Sequence, residues 1–64
     1  MGRQKLSLRE LRERHQMTLE RLSNRSGLPV DQLRRLEAGV QPMSIDQAEK
    51  LAWLFKVDAL DLLD

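Results

Sequence analysis

The stretch TLERLSNRSGLPVDQLRRLEAG, residues 18–39, decides the fold. Thr18 is a good N-cap, since its hydroxyl can accept from a free first-turn N–H, and Gly27 can take the left-handed conformation that closes a helix. A helix is therefore expected over Leu19 to about Ser26, with Leu22 as its central core residue. Pro29 suits the first position of a following helix, where a missing N–H costs nothing, and Gly39 stops that helix after Ala38. Two short helices joined by a turn of about three residues thus emerge from local signals alone.

Working outward, Ser7-Leu8-Arg9-Glu10 has the form of a capping box and opens a first helix through about Arg14, with Leu8 and Leu11 as its buried stripe. Ser44-Ile45-Asp46-Gln47 is a second such box, opening a fourth helix through about Phe55 whose buried stripe is Ile45, Ala48, Leu51, Ala52 and Phe55. Asp58 caps a last short helix, Ala59 to Leu63. Strict apolar–polar alternation is absent and β-branched residues are few, so the chain reads as all-α, a compact bundle of five helices. Every connection is short, and there is no repeat or low-complexity tract.

Composition bounds the rest. Sixty-four residues make one domain at most, and a chain this short buries only about 60% of its unfolded surface. Without cysteine there is no disulfide framework and no thiolate metal site, and a cytoplasmic protein is expected. The longest apolar run, Leu51 to Phe55, is far below the roughly 20 residues of a membrane span, and no signal-peptide core precedes it. The net charge of +1 hides an asymmetry: residues 1–35 carry nine Arg or Lys against four Asp or Glu, and residues 36–64 carry two against six. Such a split hints at a polyanion-binding face.

The helix, glycine turn and helix of residues 18–39 have the spacing of a DNA-binding helix-turn-helix, whose second helix enters the major groove. At 100° per residue, Leu33, Leu36 and Glu37 share one face of that second helix. Asp31, Arg35 and Ala38 lie opposite, flanked by Val30, Gln32 and Arg34. Arg35 is the strongest candidate for direct base readout, because a guanidinium can donate two bonds to O6 and N7 of guanine. Asp31 has three readings: an i,i+4 partner that holds Arg35, an acceptor from a cytosine amino group, or a charge that favours the helix N-terminus. Val30 suits a thymine methyl group, and Gln32 an adenine edge or a phosphate.

The order of residues from Leu8 to Leu63 closely resembles the phage Cro/cI-repressor-like, or XRE-like, helix-turn-helix family. The resemblance rests on Leu8-Arg9-Glu10-Leu11-Arg12, Met17-Thr18 with Leu22, Gly27, and Leu33 and Leu36 followed by Glu37-Ala38-Gly39. Ser44-Ile45 with Leu51-Ala52, Val57-Asp58 and Leu62-Leu63 complete it. It implies a lambda-repressor-like domain over residues 7–64 that binds specific double-stranded DNA and regulates transcription, as a repressor for preference, in a prokaryotic or phage setting. It also implies a structural ion pair between Arg12 and Glu37.

Phosphate contacts are expected from Thr18 at a helix start, from Gln41, Met43 and Ser44 around the next one, and from Arg21 and Arg25, because helix N-termini and arginines bind anions. The resemblance is imperfect at Leu19, where a phosphate-binding Gln is common, and at Pro29, where Ser or Thr is usual. Arg3 and Lys5 form a basic N-terminal arm over residues 1–6, flexible without DNA. His15 has no second ligand or nearby nucleophile to make a metal or catalytic site, no cofactor motif is present, and an enzyme or small-molecule binder is not expected. Trp53 either joins Leu54 in an exposed contact patch, which would support a weak homodimer through the last two helices, or folds back over Leu60 or Leu63. The alternative reading is a protein-interaction module of the same fold that uses Trp53, Leu54 and the acidic second half. The orderly capping boxes would also suit a designed DNA binder.

Overall fold

The computed structural model describes residues 7–63, and the described residues form helices and turns with no strand. The helices are α1 (Leu8–Arg14), α2 (Leu19–Ser26), α3 (Val30–Ala38) and α4 (Ile45–Phe55), followed by a 3₁₀ turn at Ala59–Asp61. None is long and apolar enough to cross a membrane. The basic arm with Arg3 and Lys5 lies outside the described residues.

Capping explains where the helices begin. Ser7, Thr18 and Ser44 each accept from the backbone N–H three residues on, at Glu10, Arg21 and Gln47. The reciprocal bond of a full box is present at Ser44, whose N–H donates to Gln47 Oε1 at 2.9 Å. That bond is why Gln47 is tolerated as a buried polar side chain. Ser7 makes only its own half of the box.

Three helices close through the same device. Gly39, Gln16 and Lys56 adopt left-handed conformations, and the next residue donates back across the last turn: Val40 N–H to Arg35 O, Met17 N–H to Arg12 O and Val57 N–H to Ala52 O. These are Schellman closures, two of them built without glycine.

Leu22, Leu33 and Leu51 are fully buried, one from each of α2, α3 and α4, and the core continues through Leu8, Leu11, Leu28, Ala48, Ala52, Phe55 and Leu62. Filling these positions with leucine costs little side-chain entropy, and burial of each contributes about 1.5–3 kcal/mol. His15, the C-cap of α1, lies against Phe55 with ring centroids 4.9 Å apart.

Three expectations are corrected, and an open alternative at Trp53 is decided. The fifth helix is a single 3₁₀ turn in which Asp58 Oδ1 accepts from Leu60 N–H and Leu62 N–H donates to Ala59 O. In this turn Leu62 is buried in the core and Leu60 is 66% exposed. Pro29 is the N-cap of α3 rather than its first helical residue, because its ψ of 148° is extended while its carbonyl accepts from Leu33 N–H. Ile45 is 67% exposed, since the first residue of α4 projects past the end of the leucine core. Trp53 is 82% exposed and does not fold over the 3₁₀ turn, because its position on α4 shares the solvent face with Asp46, Glu49 and Lys50.

Candidate nucleic-acid interface

The surface to be explained is the outer face of α3. Its inner face is anchored by Leu33, which is fully buried, and by half-buried Leu36, while the turn between α2 and α3 is pinned by Leu28. A polar clamp adds to this. Arg12 Nε donates to Glu37 Oε2 at 2.6 Å, Arg12 Nη2 to Glu37 Oε1 at 3.2 Å, and Arg12 Nη1 to the Met17 carbonyl at 2.9 Å. The guanidinium therefore ties α3 to α1 and to the turn before α2 at once. Its pKa is raised above the ordinary arginine value, chiefly by the hydrogen bond to the Glu37 carboxylate, which outweighs the opposing effect of burial. The bond to Met17 could not be read from the sequence, because a backbone carbonyl leaves no residue signature.

With the inner face fixed, the outer face is presented rigidly. Asp31, Arg34, Arg35 and Ala38 are exposed, and Val30 and Gln32 are half-buried at its edges. The i,i+4 pairing of Asp31 with Arg35 does not form. Asp31 Oδ1 instead lies 3.8 Å from Arg34 Nη1, three residues on, in a pair whose side chains are 78% and 66% exposed. Both neighbours are arginines, so sequence spacing alone could not choose between them. Among the described residues Arg35 has no ion-pair partner, and its donors are open to a ligand.

The residues expected to hold phosphates are scattered more widely. Thr18 and Arg21 lie exposed at the start of α2, where the Thr18 oxygen already accepts from Arg21 N–H. Ser44 is committed to its capping box, which occupies the Ser44 and Gln47 N–H groups. Met43 is half-buried against the core, and with Gln41 it lines an open groove shared by Leu8, Leu36 and Leu63. Arg25 lines a second groove with Ala52, Trp53, Leu54, Lys56 and Val57, at the end of α4. Thus Val30, Asp31, Gln32, Arg34 and Arg35 share one continuous helix, whereas Arg25 is placed beside Trp53. No group of three or more metal-ligating side chains occurs among the described residues.

Two helices joined by a glycine-closed turn, the second with its charged face bare, define a helix-turn-helix unit of the DNA-binding class. The chain belongs to the Helix-turn-helix domain family, whose model matches residues 6–64. No curated protein and no solved structure matches it.

Proposed function

We propose that this protein binds specific double-stranded DNA with α3 in the major groove and regulates transcription as a domain of the XRE-like kind, without catalytic activity. The observation that carries this reading is the outer face of α3: Asp31, Arg34 and Arg35 stand exposed on a helix whose opposite side is locked by Leu33 and by the Arg12–Glu37 clamp. A rigid helix of this kind meets base edges without an ordering cost at binding. Arg35 reads guanine, Val30 and Gln32 touch the flanking bases, and Arg21, Thr18 and the backbone around Ser44 position the duplex through phosphates. Arg3 and Lys5 of the N-terminal arm add contacts to the backbone or minor groove.

Selection from a duplex pool randomised through its centre, followed by sequencing and fluorescence anisotropy on the enriched site, tests the proposal. An enriched motif whose affinity falls as salt rises is the expected result. A pool that stays random after selection refutes it.

Trp53 supports a second element of the reading, self-association into a weak dimer. Exposed Trp53 lines a groove with Leu54 and Val57, where basic Arg25 and Lys56 also lie, and acidic Asp46 and Glu49 are on the same helix as Trp53. A patch that carries apolar groups and both charge signs can meet a copy of itself across a two-fold axis. Sedimentation analysis with and without Trp53→Ala distinguishes this from a monomer, and a palindromic selected motif would accompany it.

A further inference from the structure

Asp31 is a carboxylate on a surface assigned to a polyanion, and its surroundings do not neutralise it. It occupies the first turn of α3, and its one ion-pair partner among the described residues, Arg34, is 3.8 Å away with both side chains largely in solvent. An exposed pair at that separation is weak and readily given up. A recognition helix presents its N-terminal residues to the base edges, so docking carries Asp31 between two lines of phosphates.

What the carboxylate meets there is restricted by chemistry. It can only accept hydrogen bonds. In the major groove guanine offers the acceptors N7 and O6 and thymine offers O4, while only the amino groups of cytosine and adenine donate. Adenine also places its N7 acceptor beside that amino group, where the second carboxylate oxygen would face it. Cytosine has a C–H in the corresponding place. The carboxylate is therefore tolerated best by cytosine, next by adenine, and least by guanine or thymine.

We propose that Asp31 is a specificity-determining residue that works by repulsion: it weakens binding to duplex DNA in general, and weakens it least where a cytosine amino group faces it. This deepens the DNA-binding reading above and rests on it. Discrimination then comes from penalising wrong sequences rather than from tightening the right one. Arg35 lies one turn further along α3, a rise of about 6 Å. With about 3.4 Å between base pairs, the guanine read by Arg35 lies within about two steps of that cytosine.

The test uses wild type, Asp31→Asn and Asp31→Ala in parallel selections from the same randomised duplex pool, with anisotropy on both the selected duplex and the unselected pool. The wild type is expected to enrich cytosine in one column, by about 5- to 150-fold over the disfavoured bases. In Asp31→Ala that column flattens and in Asp31→Asn it moves from cytosine to adenine, whose N6 and N7 an amide matches; in both, the guanine column assigned to Arg35 persists and the unselected pool is bound more tightly than by wild type. If Asp31 served only the helix N-terminus, the variants would lose stability by circular dichroism but keep every column of the motif. That outcome, or weaker binding of the unselected pool by Asp31→Ala, overturns the proposal while leaving DNA binding intact. Failure of the wild type to enrich any motif overturns both.

Discussion

Replacing Glu37 by Ala exposes the balance on which the α1–α3 contact depends. The Arg12 side chain is only 16% exposed and Glu37 only 10%, so the variant leaves a guanidinium largely out of water with the Met17 carbonyl as its remaining hydrogen-bond acceptor among the described residues. Breaking a pair at such burial costs about 3–5 kcal/mol. A domain of this size is stable by about 3–10 kcal/mol in all, at roughly 0.05–0.15 kcal/mol per residue. Glu37→Ala should therefore lower the melting temperature by roughly 12–40 °C, at about 4–8 °C per kcal/mol, and leave a substantial unfolded fraction before any denaturant is added.

Urea titration followed by far-UV circular dichroism measures the loss. The double variant Arg12→Met/Glu37→Leu should recover most of it, because two apolar side chains of similar volume leave no charge stranded. A loss of about 1 kcal/mol or less for Glu37→Ala, the level of a solvent-exposed pair, would refute the reasoning. So would a double variant no more stable than the single one. Because the raised pKa of Arg12 lies on the alkaline side, its contribution is complete below the ordinary arginine value and is lost only as pH rises through the folded one. The stability attributable to Arg12 should accordingly be flat across neutral pH.

Three further outcomes are expected. Arg35→Ala should cost about 1–3 kcal/mol on the selected duplex and relax choice at one base pair, whereas an equal loss on all duplexes would make Arg35 a phosphate contact. Lys56→Gly should raise stability by about 0.5–1 kcal/mol in thermal melts, since Lys56 closes α4 at a φ of 58° where glycine has no side chain to strain; an unchanged or lower melting temperature would count against strain there. Trp53 emission should already lie near its water-exposed limit in the folded protein and shift little on unfolding at low concentration, and a blue shift on concentrating the sample would report the proposed dimer.

Much of this arrangement is written locally. Thr18, Gly27 and Gly39 bound α2 and α3 because a hydroxyl cap and a left-handed closure each need a particular residue type at one position. Leu22 and Leu33 follow from helical period. What escaped the pattern was decided by tertiary surroundings or by side-chain rotamers. Ile45 has the right period for the core but sits one turn beyond it, and Trp53 is apolar on a face that no described residue covers. Asp31 had arginines at both i+3 and i+4, so its partner is a matter of rotamer rather than spacing. Left-handed Gln16 and Lys56 carry no glycine to announce them. Arg12 and Glu37 stand 25 residues apart, and only the resemblance to a known family joined them in advance.

The clamp also changes how the positive half of the chain should be counted. Arg12 belongs to the basic residues 1–35, yet its charge is paired with Glu37, three of its five N–H donors are engaged and its side chain is largely buried. It cannot displace a counterion from a phosphate. Among the described residues, Arg21 in the first turn of α2 and Arg34 and Arg35 on the outer face of α3 are exposed cations. With Arg35 assigned to a base, Arg21 and Arg34 would at about −0.9 per neutralised phosphate give log K against log salt a slope of roughly −2, steepened by what the N-terminal arm adds. Removing residues 1–6 would therefore separate, in a single salt titration, the charge that the helices bring to DNA from the charge that Arg3 and Lys5 add.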